Sequence, residues 1–465
     1  MKPSVADHLV AAALDSEGLE LFSNDHDGYA SITVDGHRET WPIRATTFRR
    51  WLSGLLFETH GKTPGGQALT DALGVLEGIA VFKGAEERVH LRLAEHAGAL
   101  WLDLGDAAWR AVRIAPGGWD VISKPPVRFR RPRGLLPLPD PEAGGTLSDL
   151  RDFVNADGDD WILLQAWLVG ALHPRGPYPT LVVTGEQGSC KSTLARVARA
   201  LTDPNEAPLR REPREARDLV VAARNGWVVA FDNVSRLSQE LSDDLARLAT
   251  GAGFGARQLY TDLEETIVHV ARPAILNGIE EFVTRGDLLD RSVILNLRPI
   301  ERYRDEQLFW SDFEAARPAL LDAVATALVA HDDVPAPNVR MADFARWVAA
   351  AEPALDCESG VFMSAYRENR AGAVHLILEA SIVASPVQKL VEIDDFEGTA
   401  AELLTRLADH VDEETRKQRS WPKRPHTLGG QLKRIAPALR RVGIVVEHDR
   451  DRSRRIIRIT KVAGL

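Results

Sequence analysis

One short segment of the sequence combines the residue types that bind a phosphate chain. The stretch LVVTGEQGSCKSTLARVARAL (181–201) begins as a β-branched run, passes through GEQGSCKST and continues with a helical pattern. Phosphate binding at a helix N-terminus needs converging backbone N–H groups, a lysine that adds charge, and a hydroxyl for Mg²⁺. Lys191 and Ser192 stand where the charge and the metal ligand are required. The predicted nucleotide-binding residues are Gly185, Gly188, Ser189, Cys190, Lys191, Ser192 and Thr193.

Cys190 is the one departure from the usual loop, because it stands where the last glycine is expected. A small side chain is accommodated there if its Cβ points away from the nucleotide, and cysteine behaves like a compact apolar residue. The loop therefore predicts a site for ATP and Mg²⁺, with Ser192 as one metal ligand.

Two later strands end in residues that suit the same chemistry. NGWVVAFDNVS (225–235) is an apolar strand that ends in Asp232 and Asn233, and ARPAILNGIEE (271–281) carries Asn277 at a strand end. A carboxylate beside a phosphate loop holds Mg²⁺, and a polar neighbour positions the attacking water. We therefore predict that Asp232 holds the metal and that Asn277 contacts the γ-phosphate or the water. The alternative for Asp232 is a cap on the following helix.

A candidate arginine completes this set. Arg291 lies just before another strand, in DLLDRSVILNL (287–297). An arginine at a subunit boundary reaches the γ-phosphate of a neighbouring subunit and stabilises the charge that develops in phosphoryl transfer. The alternative is a salt bridge with Asp287 or Asp290.

In order and spacing, the segments GEQGSCKST, WVVAFDN, PAILNGIE and DLLDRS resemble the superfamily III helicases of the AAA+ class. The similarity is greatest to the ATPase halves of phage and plasmid primase-helicases, which are related to the poxvirus D-five type. The resemblance is specific over residues 175–300, moderate over the C-terminal region and weak over residues 1–135.

This resemblance implies a role for each candidate residue. Lys191 and Ser192 would bind phosphate and Mg²⁺, and Asp232 would hold the metal. Asn277 would sense the γ-phosphate, and Arg291 would act on the ATP of the next subunit. The implied assembly is a homo-oligomeric ring, with a hexamer expected.

Two features depart from the family pattern. The acidic residue that usually follows the Walker B aspartate is Asn233, so activation of the water is weaker or differently shared. Residues 256–271 predict a β-hairpin, whose tip is basic or aromatic in relatives that translocate DNA. Here the turn TDLEE is acidic, and Arg257, Tyr260 and His269 flank it. The acidic turn favours an alternative function, a DNA-bound ATP-dependent regulator or defence-type switch, while Cys190 and Asn233 favour an inactive scaffold.

Charge is distributed unevenly along the 465 residues, whose net charge is −10. Between positions 416 and 461, fifteen Lys/Arg oppose three acids, which gives +12 and leaves −22 on the rest. TLGGQLKRIAPALRRVG predicts a helix that Pro437 kinks or breaks. IVVEHDRDRSRRIIRITK predicts a two-stranded wing, so the region follows the plan of a DNA-binding winged helix, or of one that packs on its own ATPase. The predicted DNA contacts are Lys433, Arg434, Arg440, Arg441, Arg452, Arg454 and Arg455.

The predicted fold class is α/β, an AAA+ P-loop core (a parallel sheet with helices) between two smaller domains. The predicted regions are an α+β N-terminal domain of unknown role at 1–135, the ATPase core with a helical lead-in at 136–307, a helical lid at 308–385 and the basic winged helix at 386–465. The Pro-, Gly- and Arg-rich stretch 123–145 predicts a linker or long ordered loop with solvated arginines. FSNDHDGYA (22–30) predicts a hairpin turn rather than a metal site.

Composition predicts a cytoplasmic protein without a membrane partner. Cys190 and Cys357 are too few for a disulfide framework, and no uncharged stretch approaches the roughly 20 residues that span a bilayer. The N-terminal region lacks the acid and histidine set of a primase, so we expect a separate primase or replication partner. The predicted function is that of a ring-forming ATPase, a DNA helicase or translocase of phage or mobile-element replication.

Overall fold

The computed structural model describes residues 3–257, 265–279, 282–329, 334–451 and 454–462. The N-terminal part is a four-stranded sheet of order β3-β2-β1-β4 with three helices around a core that includes Leu9, Phe48 and Leu76. Asp25 and His26 form the turn between β1 and β2, which confirms the predicted hairpin. The elements are α1 (Val5–Leu14), β1 (Glu20–Asn24), β2 (Asp27–Val34), β3 (His37–Pro42), α2 (Thr46–His60), α3 (Gly66–Phe82) and β4 (Ala85–Glu86).

A second antiparallel sheet, of order β6-β7-β8-β9, follows and packs into the largest apolar cluster of the molecule through Leu102 and Val112. The arginine-rich stretch after it is an ordered loop, and the expectation of solvated arginines was wrong. Arg128 donates to the Ser31 hydroxyl at 2.7 Å, and Arg131 pairs with the Asp103 carboxylate. The strands are β5 (Val89–His90), β6 (Leu93–His96), β7 (Ala99–Asp103), β8 (Ala111–Ala115), β9 (Gly118–Ile122) and β10 (Arg128–Phe129).

A parallel sheet covered by helices forms the centre of the chain, as predicted. Its strand order is β12-β15-β11-β16, and every pair is parallel. A 3-10 helix, Leu147–Phe153, and α4 lead into it. The elements are α4 (Gly158–Ala171), β11 (Thr180–Gly185), α5 (Lys191–Thr202), α6 (Ala216–Arg224), β12 (Val229–Phe231), α7 (Gln239–Thr250), β13 (Phe254–Arg257), β14 (Glu265–Val268), β15 (Ala274–Asn277), α8 (Gly286–Leu289) and β16 (Ser292–Leu297).

Both faces of this sheet are buried, which explains the continuous apolar runs of its strands. Leu181, Val183 and Ile275 face the cluster that contains α4 and α5, whereas Val182 and Leu276 face the cluster of α6, α7 and the C-terminal region. The antiparallel pair β13–β14 confirms the predicted hairpin. Its acidic turn and Tyr260 lie outside the described residues.

A helical region links the sheet to the C-terminal part. It comprises α9 (Glu306–Val329), α10 (Ala342–Ala351), a 3-10 turn (Glu352–Ala354), α11 (Val361–Glu379) and α12 (Ala384–Ile393). Within the described ranges, no single helix has the length and apolar character to cross a bilayer. Helices α11 and α12 satisfy that test only as a pair, and a 96° bend separates them.

The two strands predicted as a wing are present as the antiparallel pair β18–β19, and a third strand, β17, pairs with β19 to give the order β17-β19-β18. The sequence did not predict this third strand, which precedes a helix. There the helix begins only at Ala400, because Thr399 and Glu402 form a capping box behind the strand. Pro437 does not break α15, which continues to Arg441. The elements are β17 (Phe396–Gly398), α13 (Ala400–Ala408), α14 (Glu413–Lys417), α15 (Pro425–Arg441), β18 (Ile444–Asp451) and β19 (Arg454–Lys461).

A buried ionic network ties the second antiparallel sheet to the parallel sheet. The Asp203 carboxylate, at the C-terminal end of α5, accepts from Arg92 Nε at 3.0 Å and from the backbone N–H groups of Trp227 and Val228 at 2.8 and 3.1 Å. Arg199 is also buried beside it, and burial lowers the pKa of that guanidinium to about 10. The Asp203 carboxylate therefore links the end of α5, the start of β12 and the second antiparallel sheet.

We expect Asp203→Asn to lower the free energy of unfolding by about 3–5 kcal/mol, because it leaves the buried Arg92 guanidinium without a counter-charge. Denaturant unfolding followed by circular dichroism measures the change. Lys417→Ala is the control, because it breaks the exposed pair with Glu413 and should change stability by less than about 1 kcal/mol. Equal effects from the two variants would contradict the structural role of the network.

Candidate functional site

The loop between β11 and α5 has a backbone that only a few residue types adopt. Gly185 and Gly188 have φ of 144° and 85°. A Cβ at Gly185 would lie 2.3 Å from the carbonyl oxygen of Leu297, and one at Gly188 would lie 2.8 Å from the hydroxyl of Tyr303. Close approach to a backbone oxygen therefore requires glycine at position 185, whereas at position 188 the left-handed backbone favours glycine and the exposed Tyr303 side chain can move away.

Lys191 is the first residue of α5, and its ammonium lies inside this loop. Nζ donates to the carbonyl oxygens of Gly185 and Glu186 at 2.8 and 2.7 Å and to Ser189 Oγ at 3.3 Å. Burial lowers the pKa of Lys191, and the nearby Cys190 and Asp232 oppose that shift. The loop therefore holds a cation at the N-terminus of a helix, where a bound anion is also favoured.

Cys190 precedes the helix in a left-handed conformation, with φ of 61° and ψ of 27°. A non-glycine residue in this region costs roughly 1–2 kcal/mol, so the thiol stands at a position whose backbone favours glycine. Burial raises the pKa of the Cys190 thiol, and the Lys191 charge and a hydrogen bond with Thr193 oppose that shift. The thiol is thus a half-buried neutral group that packs beside Thr193.

The residues at the ends of β12 and β15 meet the loop. Ser192 Oγ donates to Asp232 Oδ1 at 2.8 Å, and Asn277 Oδ1 accepts from the backbone N–H of Asn233 at 2.9 Å. A hydroxyl paired with a carboxylate is an oxygen-rich set that suits Mg²⁺. The structure thus brings Lys191, Ser192, Asp232 and Asn277 to one edge of the sheet, and it disfavours Asp232 as a simple helix cap, because Ser238 caps α7.

Within the described residues, only one of the two polar atoms of the Asn277 side-chain amide is hydrogen-bonded. Its oxygen is engaged, which leaves Nδ2 as a buried donor that bonds to nothing within the described residues. An unpaired buried donor costs about 1–3 kcal/mol, so an acceptor from a ligand at this edge would relieve that cost. The loop glycines, the Lys191 ammonium and this free donor together fit a polyphosphate with a divalent cation.

One supporting residue, Asn155, was not found from the sequence. Asn155 Nδ2 donates to the carbonyl oxygens of Ser189 and Arg298 at 3.2 and 2.6 Å and fastens the loop to the segment after β16. Ser189, predicted to bind nucleotide, is fully buried, and its hydroxyl donates to Glu186 O within the loop. Neither contact had a signal in the sequence, because each joins residues by backbone position rather than by motif.

Arg291 lies at the opposite edge of the same sheet. Its carbonyl oxygen accepts from the N–H of Thr180, the first residue of β11, whereas the loop follows the last residue of that strand. The guanidinium pairs with Asp287, which is one of the two acids considered from the sequence. Its Nε is a buried donor without a partner among the described residues. Arg291 is therefore not part of the cluster around Lys191 in its own chain.

Two protein-family models match this chain. Residues 145–371 match the actinomycete integrative conjugative element replication protein model, and residues 383–464 match the AICE RepA C-terminal domain. The two models describe successive parts of one replication protein and together span roughly two thirds of the sequence. The chain belongs to this replication-protein family. It is therefore a replication protein of a mobile element.

No curated protein matches the sequence. Among solved structures, the replication protein is similar to the A form apo structure of the NrS-1 C terminal region, with a TM-score of 0.46, 12% identity, and coverage of 97% of this chain and 99% of that one. The A form and the apo structure of NrS-1 residues 305–718 each give a TM-score of 0.41 at 11% identity, covering 98% and 99% of this chain and 99% and 100% of theirs.

The basic side chains of the C-terminal part of the replication protein are not equivalent. Lys433 and Arg440 on α15 are exposed and form no ion pair within the described residues, and Arg434 is exposed with Nε bonded to Gly430 O. Arg441 instead donates to Asp290 Oδ1 at 3.1 Å and links α15 to the loop before Arg291. On the strands, Arg455 is exposed, whereas Arg452 and the side chain of Arg454 lie outside the described residues.

We expect Cys190→Gly to stabilise the replication protein by about 0.5–1 kcal/mol, because glycine adopts the left-handed conformation without the Cβ penalty. Thermal unfolding monitored by circular dichroism measures the gain. Cys190→Ala is the matched control, since it removes the thiol but keeps the Cβ, and it should give no gain. A gain of the same size from both variants would show that the thiol, rather than the backbone, is the source of strain.

Proposed function

We propose that this replication protein is an ATP-hydrolysing motor of the AAA+ class that acts on DNA as a helicase or translocase. The observation that carries the proposal is the meeting of Lys191, Ser192, Asp232 and Asn277 at one sheet edge, although they come from three separate elements. This set provides a cation for phosphate, oxygen ligands for Mg²⁺ and a donor for the γ-phosphate.

The order of the strands supports the same proposal. An isolated bridge sets Arg210 beside Phe231 in parallel orientation, on the free edge of β12. With that segment included, the strands taken in chain order are arranged 2-3-4-1-5, and the phosphate loop follows strand 1, which lies between strands 4 and 5. Ligands of open parallel sheets bind beyond the carboxyl ends of the strands, where such a loop opens into a helix.

Within this proposal each residue has one task. The ammonium of Lys191 and the N-terminus of α5 bind the phosphates, while Ser192 and Asp232 hold Mg²⁺, which neutralises charge on the phosphate oxygens. Asn233 and Asn277 position the attacking water and the γ-phosphate. Arg291 reaches the site of a neighbouring subunit in a ring, proposed as a hexamer, after exchange of its bond to Asp287 for the phosphate.

We further propose that the C-terminal part is a winged-helix domain that binds DNA, and that priming is supplied by a separate replication protein. The order α12, β17, α13, α15, β18, β19 with a three-stranded antiparallel sheet supports the first assignment. Lys433 and Arg440 supply unpaired positive charge on α15. Arg441 is bound to the core in this chain and makes a weaker candidate.

A second candidate function is a DNA-bound ATP-dependent switch that does not separate strands. The acidic sequence TDLEE in the turn after β13 favours it, because a DNA-gripping tip needs positive or aromatic side chains. The two functions differ in one measurable respect. Both hydrolyse ATP, but only the motor displaces a strand.

We expect Lys191→Ala to reduce ATP turnover by at least about 100-fold, because it removes the charge that the loop holds for the phosphates. Phosphate release measures turnover, and displacement of a labelled strand from a forked duplex measures unwinding. Lys62→Ala, at an exposed lysine after α2, is the control and should retain both activities. Unchanged turnover in Lys191→Ala rules out this site, and turnover without displacement by the wild type favours the switch.

We expect the double variant Lys433→Ala/Arg440→Ala to weaken DNA binding and to reduce the slope of log Kd against log salt by about 2, one for each lost phosphate contact. Fluorescence anisotropy of a labelled duplex across a salt series measures both quantities. Arg458→Ala is the control in the same domain, because Glu397 and Asp449 already neutralise that residue. An unchanged salt slope in the double variant places the DNA contacts elsewhere.

A further inference from the structure

None of the described residues assigned to the proposed ATPase site is an evident proton acceptor for the attacking water. Asp232 already accepts from Ser192 and is assigned to the metal. Asn233 and Asn277 carry neutral amides, which orient a water by hydrogen bonding but do not remove its proton. A general base in such a site must be a group that bears a lone pair of sufficient basicity, most often a carboxylate or imidazole.

The segment on the free edge of β12 brings a carboxylate to this position. Arg210 N donates to Ala230 O at 2.9 Å, and Asp232 N donates to Arg210 O at 2.8 Å. The segment at Arg210 therefore runs parallel to β12, with Arg210 opposite Phe231. Glu212 follows Arg210 by two residues, as Asn233 follows Phe231, so continuing this register would set Glu212 opposite Asn233. Glu212 thus lies at the carboxyl edge of the sheet, next to the position where the expected acid is absent.

The state of the Glu212 side chain supports a role beyond packing. It is only partly exposed, and Oε2 is buried without a hydrogen-bond partner among the described residues. Removing a carboxylate oxygen from water without giving it a donor is costly, and native proteins rarely leave such an atom unpaired. A water or a substrate-bound donor at this edge would satisfy it.

We propose that Glu212 is the general base of this site and replaces the acid missing at Asn233. The inference rests on the proposed ATPase function. In the step it assists, the water oxygen bonds to the γ-phosphorus as the bond between phosphorus and the β,γ-bridging oxygen breaks. The electron pair of that bond leaves with ADP. One water proton passes to the Glu212 carboxylate and from there to the phosphate product or to solvent.

The test compares turnover with nucleotide binding in Glu212→Gln, which keeps the size of the side chain and removes its basicity. Turnover is measured by phosphate release, and binding is measured independently by the fluorescence of a methylanthraniloyl ATP analogue. We expect kcat to fall by about 100-fold, with the Kd of the analogue within about twofold of the wild-type value. Glu215→Gln, at an exposed glutamate three residues away, is the matched control and should retain wild-type turnover.

A second variant tests whether the carboxylate, rather than the residue, is what matters. Adding Asn233→Asp to Glu212→Gln returns an acid to the neighbouring position, and aspartate tolerates the left-handed backbone found there (φ of 54°). We expect turnover to recover by at least about tenfold over Glu212→Gln. If Glu212→Gln does not fold, Glu212→Asp is the substitute variant, because it keeps the charge but draws the carboxylate back by one methylene group. A fall in kcat with unchanged Kd in that variant supports Glu212 as the general base.

The outcomes separate this inference from the proposed function. Glu212→Gln with kcat within threefold of wild type overturns the role of Glu212 and leaves the ATPase intact. Parallel loss of analogue binding and turnover also overturns it, because that pattern indicates a structural residue. A wild-type protein that neither binds the analogue nor releases phosphate instead contradicts the ATPase itself.

Discussion

The carboxyl edge of the parallel sheet depends on how helix α5 is aligned with strand β12. The Asp203 carboxylate fixes this alignment. Asp203 ends the helix that begins at Lys191, and its Oδ2 accepts from the two N–H groups that immediately precede β12. The opposite ends of those two elements carry Ser192 and Asp232. Because both elements are anchored at one carboxylate, their far ends meet, and the hydroxyl and the second carboxylate lie 2.8 Å apart.

The same carboxylate explains why the second antiparallel sheet belongs with the central one. Arg92 is fully buried and has φ of 61°, and its guanidinium reaches Asp203, the carbonyl oxygen of Asp103 and that of Leu136. A buried carboxylate requires such a counter-charge, since its desolvation is otherwise too costly. The N-terminal part thus contributes directly to the frame of the proposed nucleotide site, whatever further role it has.

Several unfavourable features of the backbone and side chains lie at this edge of the sheet. Cys190 and Asn233 have left-handed conformations, and a Cβ at Gly278 would lie 2.3 Å from the carbonyl oxygen of Val234. Asn277 Nδ2 and Glu212 Oε2 are buried and unpaired. Strain and unsatisfied groups of this kind persist only where the surrounding structure enforces them, and they cluster at sites of ligand binding. A polar ligand at this edge would give the unpaired atoms of Asn277 and Glu212 a partner, which packing within the described residues does not.

Local patterns in the sequence predicted the parts of the site that depend on neighbours along the chain. The strand, loop and helix around Lys191, the strand ends at Asp232 and Asn277, and the hairpin before β15 follow from apolar runs and turn residues. Contacts between distant residues left no such pattern. Arg92 and Asp203 are 111 positions apart, and Glu212 reaches the site only through a single bridge. The strand β17 is three residues long, which is too short for a periodicity to indicate.

The position of Arg291 bears on the proposed assembly as well as on the proposed catalysis. Strand β11 separates its backbone from the loop by six residues, or roughly 20 Å at about 3.3 Å per residue, which is farther than an arginine side chain extends. Arg291 therefore does not reach the loop after β11 in its own chain. In this chain Asp287 holds it, while Asp290, three residues on, binds both Arg370 and Arg441. In the ring proposed above, a neighbour that draws Arg291 away would compete with Asp287, which lies close in sequence to the Asp290 carboxylate that anchors helix α15 through Arg441.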